Sequence, residues 1–576
     1  MKLAGGSPLS FRFGPFEADL RKGELYKRGV RIHLRGKSFE ALTTLLERPG
    51  EVVAREELRR RLWPEGVFVA FDNSLNSTVN RLRAVLGDRP ARPKFIETLP
   101  RVGYRFIASV EKGRTVPPRL AVLPFENLNR DPQQEYFAEG VADALITALG
   151  NVTTLRVISR QSVLHLRGSQ KTVAEIASEL GTDAVVEGSV LLAGGRVRIT
   201  AQLVKADPEQ HLWARSYECE LGDILTIQGQ VARAIAESVE LTLTPAEKGW
   251  LGRSRRVDPE AHLAYLKGRH YMGQWSRESF ERALECFQQA TEKDPTHALA
   301  YAHMADCYGM LGHWGHLPFE DAFRRSKAAA LKSIALDDAL STAHWALSWA
   351  TWIFDWDLAT SEAELLRAIH LNPSDAHAHS SYAVFLSATR DDPSRAVEEM
   401  QLALDLDPLS QNENALAAWI HVWADDYEKG CEQARRTLEL FPGTLAALTA
   451  LGLAELGRRR CAEAIAAFEK AVEISSDAVT AAYLGSANGW LGRADVAREV
   501  LRQLSERRER EPIPPRCFAF LHAAMREADL AFEWLERAYE ARDSGLFFLR
   551  AMPLYDSLRP DPRFNKMLRK IRNSAR

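Results

Sequence analysis

The sequence predicts a multidomain chain of three successive architectures: α+β at the N-terminus, α/β in the middle, and an all-α solenoid after that. Three observations carry this reading. Alternating apolar and polar residues, broken by short helical stretches, run to about residue 110. Strand and helix patterns then mix from about 119 to 244, and beyond Pro245 strand patterning disappears while helix-ending dipeptides recur. A length of 576 residues agrees, because single cores stop growing well below that size.

Composition narrows the class. Hydrophobic residues make up 46% and charged residues 26%, which excludes a disordered or fibrous chain. The net charge of −2 conceals a polarity: the first 114 residues hold 23 Lys/Arg against 13 Asp/Glu, and the remainder holds 52 against 64. A basic head on an acidic body is the footprint of a nucleic-acid module. The richest apolar stretch, residues 343–354, is too short to span a bilayer, and no signal pattern precedes Phe11. The six cysteines are scattered without a C-x-x-C pair, so no disulfide framework and no zinc site is expected. A cytoplasmic protein without membrane partners is the expectation.

In the head, residues 11–34 alternate through FRFGPFEADL, ELYKR and RIHL, as antiparallel sheet does. Three helices fit next: from Ser38 as N-cap to about Arg48, from 54 to 62, and from about 73 to Gly87. The third has Leu75, Val79, Leu82 and Leu86 at i, i+4, i+7 and i+11, one apolar stripe that must face a core. At 100° per residue, Asn73, Ser77, Asn80, Arg81 and Ala84 lie opposite the stripe, with Asn76 and Arg83 on its flank. This face carries no acid. Amides, hydroxyls and arginines suit a major groove, where Arg pairs with guanine and Asn with adenine. An ordinary solvated helix face is the competing reading. The segment after this helix favours DNA: residues 95–97 and 104–107 read as a hairpin whose tip, 99–103, carries Arg101 and a glycine able to take φ > 0.

With REEL at 55–58, Trp63, VNRLR at 79–83 and ETLPRVGYRF at 97–106, residues 9–110 resemble the OmpR/PhoB-type winged helix-turn-helix family, in its CadC/ToxR-like branch. The resemblance implies double-stranded promoter DNA as partner, with a homodimer on tandem half-sites. It implies Arg81 as the base reader, phosphate contacts from Thr78, Asn80, Arg83, Thr98, Tyr104 and the indole N–H of Trp63, and Arg101 in the minor groove. The family's response regulators often place the wing arginine one position earlier, where this chain has Pro100. No receiver domain precedes Phe11, so control by aspartyl phosphorylation is not expected.

Residues 111–118 (EKGRTVPP) read as a linker. Residues 119–247 then combine a strand at 120–125, a helix at 138–149, a strand at 155–158, a helix at 173–180, a hairpin (184–192 and 196–204) around Gly194-Gly195, and a helix at 224–243. AVLPFENL, ELGTDAVVEGSV and HLWARSY resemble the TolB N-terminal-like domain of bacterial signalling chains, some class III adenylate cyclases among them. Asp131, Glu135 and Glu139 as paired carboxylates, with His211 as base, are weighed against a loop and helix start, which favour acids for dipole reasons. No catalytic residue, cofactor or metal is assigned.

From 257 to 540, helix-ending dipeptides at Asp294-Pro295, Asp337-Asp338, Asn372-Pro373, Asp407-Pro408, Phe441-Pro442 and Ser475-Ser476 recur at spacings of 43, 35, 35, 34 and 34. Small residues recur beside aromatic ones, as in Ala283/Phe287/Ala290 and Ala464/Phe468/Ala471. The region resembles a tetratricopeptide solenoid, which implies a protein or peptide partner. The long first spacing places an insertion at 312–319, whose His313 and His316 fit a surface loop better than a metal site. Trp345, Trp349, Trp352 and Trp356 share a face if their helix is unbroken, either as packing between repeats or as an aromatic groove. Residues 541–576 read as a cap.

The whole resembles regulators that pair an OmpR-type head with tetratricopeptide repeats, invasion-gene activators among them. A one-component transcriptional regulator is the expected function, with the middle domain and repeats as its sensory and interaction region in signal transduction. An interaction scaffold merely anchored by its head is the alternative.

Overall fold

The computed structural model describes residues 10–19, 24–27, 30–32, 34, 36–63, 71–90, 93–100, 102–112, 117–131, 134–239, 243–252, 257–273, 276–313, 316–390 and 392–574. The chain divides into two compact units, Met1–Pro118 and Arg119–Arg576.

The first unit opens on an antiparallel meander of β1 (Ser10–Phe13), β2 (Phe16–Asp19), β3 (Glu24–Lys27) and β4 (Val30–Ile32). Then come α1 (Lys37–Glu47), β5 (Val52–Ala54), α2 (Arg55–Leu62), α3 (Phe71–Leu86), β6 (Ile96–Leu99), β7 (Gly103–Phe106) and β8 (Glu111–Lys112). The meander runs β4-β3-β2-β1-β8, and the second sheet runs β5-β7-β6. Phe13 stands edge-on to Phe95 and Phe106 at 5.7 and 5.1 Å between ring centroids, which clamps the meander onto the hairpin. The stripe Leu75, Val79, Leu82 and Leu86 is buried in this core together with Leu42, Leu45 and Leu58.

Three details differ from the sequence reading. Ser38 is no N-cap: α1 starts at Lys37 after Gly36, whose φ is +61°, and the buried Ser38 hydroxyl donates to the Thr78 carbonyl at 3.4 Å. Glu111 and Lys112, at the start of the span read as linker, form β8 and pair with β1. Gly103 does not take a positive φ; a Cβ there would lie 2.1 Å from the Val53 carbonyl oxygen, so glycine is required by the close approach of β5 to β7.

The second unit begins with a mixed sheet of β9 (Arg119–Val122), β10 (Glu126–Asn127), β11 (Arg156–Val157), β12 (Ala184–Ala193), β13 (Arg196–Ala206) and β14 (Glu209–Glu220). Its order is β11-β9-β12-β13-β14, with β10 also on β12. The first pairings are parallel and β12-β13-β14 is antiparallel. Gly194 and Gly195, at φ +57° and +77°, turn the β12–β13 hairpin. The long β14 is absent from the sequence reading, because polar and charged residues, Arg215 among them, interrupt the half-buried row of Trp213, Tyr217 and Cys219. The helices are α4 (Glu135–Gly150), α5 (Arg160–Leu164), α6 (Val173–Leu180), α7 (Ile224–Ser238) and α8 (Pro245–Leu251).

From α9 (Pro259–Met272) to the helix Ala528–Glu540, the described residues form eight consecutive helix pairs. Small residues allow close packing between them: a Cβ on Gly268 would meet the Phe287 ring at 2.5 Å, and one on Gly452 the Phe468 ring at 2.4 Å. The extra length of the second pair is not one inserted loop. Its helices, Ala298–His313 and Phe319–Leu336, have 16 and 18 residues, against 13 and 14 in the pair Leu445–Gly457 and Cys461–Ile474.

The α/β part and the repeats, read from sequence as separate domains, interlock as one unit. Gly140 of α4 lies so close to Leu266 of α9 that a Cβ would stand 2.6 Å from it. Further along, the Ser162 hydroxyl donates to Asp407 Oδ1 at 2.6 Å, and the Ser159 N–H to the Leu406 carbonyl at 2.8 Å. The Val157 N–H donates to the Ser374 hydroxyl at 3.2 Å. The hydrogen-bonded docking points thus fall at or beside Asn372-Pro373 and Asp407-Pro408, dipeptides that end repeats.

The tryptophan helix is broken: Ser341–Ala350 gives way to a π-turn, Thr351–Asp355, and Trp356 takes a φ of +61°. Of the two readings of this stripe, packing holds. Trp352 and Trp356 meet Phe547 at 5.9 and 4.9 Å, and Trp423 stacks on Phe548 at 4.3 Å. Burying Leu546, Phe547, Leu549, Leu554 and Tyr555 contributes about 1.5–3 kcal/mol each. The C-terminal segment is therefore a fixed part of the fold that fills the aromatic cleft.

Candidate nucleic-acid interface

On α3, Asn76, Ser77, Asn80, Arg81 and Ala84 are exposed, while the stripe on the other side is buried. Arg81, Asn80 and Ser77 form no bond to any described residue, so an arginine, an amide and a hydroxyl stand together on an acid-free face. Asn76 is oriented from behind. The Tyr104 hydroxyl donates to Asn76 Oδ1 at 2.9 Å, and Arg55 donates both to that oxygen and to the Tyr104 oxygen, each at 3.0 Å. With its carbonyl oxygen engaged, Asn76 presents its amide N–H groups outward. Tyr104 is only 2% exposed, so it positions Asn76 where a phosphate contact was expected. Arg55 was missed as a site residue; its signal was the first letter of REEL.

Arg83, also expected at phosphate, is turned inward and 6% exposed. Its Nη2 donates to the Ile96 carbonyl at 2.8 Å and to the Thr98 hydroxyl oxygen at 2.7 Å, and its Nε stands 4.0 Å from Asp88. Asp88 in turn accepts the N–H groups of Lys94 and Ile96 at 2.6 and 2.9 Å. An arginine so enclosed is a brace between α3 and the hairpin, and Asp88, also missed, anchors it. Thr98 stays exposed and keeps its hydroxyl hydrogen for an outside acceptor. The Thr78 hydroxyl donates within the helix to the Ser74 carbonyl at 2.8 Å. Trp63 is 6% exposed, with Lys37 Nζ 4.5 Å from its ring centroid. The side chain of Asn73, and Arg101, lie outside the described residues.

In the second unit the acids at 131, 135 and 139 do not form a carboxylate pair of the acid–base kind. Burial alone would raise the pKa of Glu139, but hydrogen bonds from His270 and Arg167 and the charge of Arg160 hold it down at about 2. Arg160 lies 2.9 Å and His270 3.0 Å from its carboxylate. Asp131 accepts from the Gln134 side chain, Glu135 from Asn127, and His211 is exposed on β14. Among the described residues, no helix is long and apolar enough to cross a membrane.

Comparison with known proteins agrees with this layout. Residues 29–106 match the family described as "Transcriptional regulatory protein, C terminal", and residues 117–234 match "HilA/YgeH-like transcriptional regulator, second domain". A Rhizobium meliloti protein named as an adenylate cyclase is 33% identical over 250 residues, 43% of this chain and 42% of its own length. The chain thus spans less than half of that relative. The transcriptional regulator HilA of Salmonella typhimurium is 23% identical over 429 residues, 72% of this chain and 73% of its own. Among solved structures, the Klebsiella pneumoniae RstA DNA-binding domain in complex with RstA box is 27% identical, with 17% of this chain and 96% of that one covered and a TM-score of 0.16. The head thus matches a transcriptional-regulator domain and the region after it a HilA/YgeH-like second domain, and helix pairs of tetratricopeptide type follow them.

Proposed function

We propose that the chain is a one-component, sequence-specific regulator whose head selects promoter DNA as a homodimer on tandem half-sites, while the second unit senses a signal. The observation that carries this is the acid-free face of α3, with Arg81 and Asn80 bonded to no described residue and Asn76 held in place by Tyr104 and Arg55. Arg81 reads guanine, and Asn76 and Asn80 reach adenine or phosphate. Asn73, Ser77, Thr98 and the Trp63 indole contact phosphate and Arg101 enters the minor groove, whereas Tyr104 and Arg83 act as positioning residues and the Thr78 hydroxyl stays on the Ser74 carbonyl. The chain catalyses no reaction in this reading; its likeness to a cyclase-named protein reflects a shared regulatory portion. With the aromatic cleft filled by Phe547 and Phe548, a protein partner meets the outer helices of the repeats.

Titrating a promoter fragment against salt tests the proposal. A log–log slope of several units is expected from multiple phosphate contacts. Equal affinity for promoter and random DNA at moderate salt would sink the sequence-specific part.

A further inference from the structure

Between the C-terminal segment and the third to fifth helix pairs lies a cavity of about 140 Å³. An engineered apolar cavity of about 150 Å³ admits a benzene ring, so one six-membered ring fits. The walls suit a ring: Leu358, Trp423, Phe547 and Ile571 line it. One side is a second π-turn, Leu386–Arg390, the kind of helix irregularity that recurs at ligand sites.

Two polar features have no role in packing. The indole Nε1 of Trp423 is buried with no acceptor among the described residues, and an unmet buried donor costs about 1–3 kcal/mol. Arg572, exposed at the rim, has no protein partner among them either. The rim holds four charges, Asp392, Asp425, Arg550 and Arg572. Each aspartate already accepts one bond, Asp392 from the Arg395 N–H at 3.1 Å and Asp425 from the Tyr427 hydroxyl at 2.7 Å. Two acidic and two basic side chains leave the rim with no formal net charge. A ligand of one sign would face like charges there, and a zwitterion meets both signs.

We infer that this cavity binds a free aromatic α-amino acid, its ring against Trp423 and Phe547, its carboxylate toward the arginines and its ammonium toward the aspartates. This rests on the reading of the second unit as sensory, but the binding itself is tested apart from DNA. The test titrates L-phenylalanine, phenylacetate and 2-phenylethylamine into the full chain by calorimetry. L-Phenylalanine is expected to bind and to raise the melting temperature, with each singly charged analogue at least tenfold weaker. Arg572→Ala, at an exposed position, should cost L-phenylalanine about tenfold while leaving the melting temperature of the free protein unchanged. No heat with L-phenylalanine at millimolar concentration, equal binding of an analogue, or full affinity in Arg572→Ala overturns the inference. Binding that leaves promoter affinity unchanged supports the site and overturns the sensory reading alone.

Discussion

Arg83 of α3 donates to the Thr98 hydroxyl oxygen of β6 at 2.7 Å, and this bond, with the one to the Ile96 carbonyl, fixes α3 against the β6–β7 hairpin. Arg83→Ala would leave Asp88 buried without its cation and two acceptors without a donor. A loss of at least ~2 kcal/mol of stability in the head is expected, read by calorimetry of the full chain. Arg81→Ala, at an exposed position, should change stability by no more than ~0.5 kcal/mol. Comparable melting of the two variants would refute the division of labour between these arginines.

Gly103→Ala brings a Cβ to 2.1 Å from the Val53 carbonyl oxygen, a backbone atom held in the β5–β7 ladder. The strands must part, at a cost of roughly 1–3 kcal/mol, and the wing moves with them. Promoter affinity should fall at every salt concentration, with an unaltered salt slope. An alanine variant with wild-type melting and wild-type affinity would show that β5 does not brace the wing.

Legibility in the sequence tracked the range of the interaction. The α3 stripe was readable because Leu75, Val79, Leu82 and Leu86 lie on one helix and repeat at its period. The repeats were readable because Ala283/Phe287/Ala290 packing recurs with the chain. Arg83 was misread: its partners Ile96 and Thr98 sit on a hairpin that returns to the helix only in the folded state, and a lone arginine beside Arg81 looks equally basic. Asp407 looked like a repeat terminator, yet it also receives Ser162 from 245 residues earlier. Phe547 and Phe548 likewise gave no sign that they would cover tryptophans in the third and fifth helix pairs.

His262 is buried in α9, with neither ring nitrogen hydrogen-bonded among the described residues. Burial first, and the nearby His297 second, lower its pKa from 6.5 to about 3. The unfolded chain takes up a proton below 6.5 that the folded chain refuses. Stability present above pH 6.5 is therefore lost as pH falls toward 3, by about 2 kcal/mol at pH 5. His262→Phe should flatten urea denaturation midpoints between pH 7 and 5. An undiminished acid slope in that variant would place the effect on other groups.

Asp407 behaves in the opposite sense. Burial first, despite the bond from Ser162, raises its pKa from 3.8 to about 7, with the charge of Glu413 adding to the rise. The folded state holds that proton more tightly, so this contribution is present at low pH and lost as pH rises through 7. Asp407→Asn keeps an acceptor for Ser162 and should melt at or above the wild type at pH 8. Asp407→Ala should lose about 1–3 kcal/mol. An asparagine variant less stable than the alanine variant would contradict this account of the joint.

As proposed, the head reads DNA sequence through Arg81. Competition binding of the full chain to a promoter fragment recovered from the genome and to random DNA, at one moderate salt concentration, decides this. Wild type is expected to prefer the promoter by at least ~10³-fold. Arg81→Ala, folded as before, should surrender about 1–3 kcal/mol of that preference. A wild-type chain that binds both DNAs equally, or an Arg81→Ala chain with undiminished preference, would contradict it.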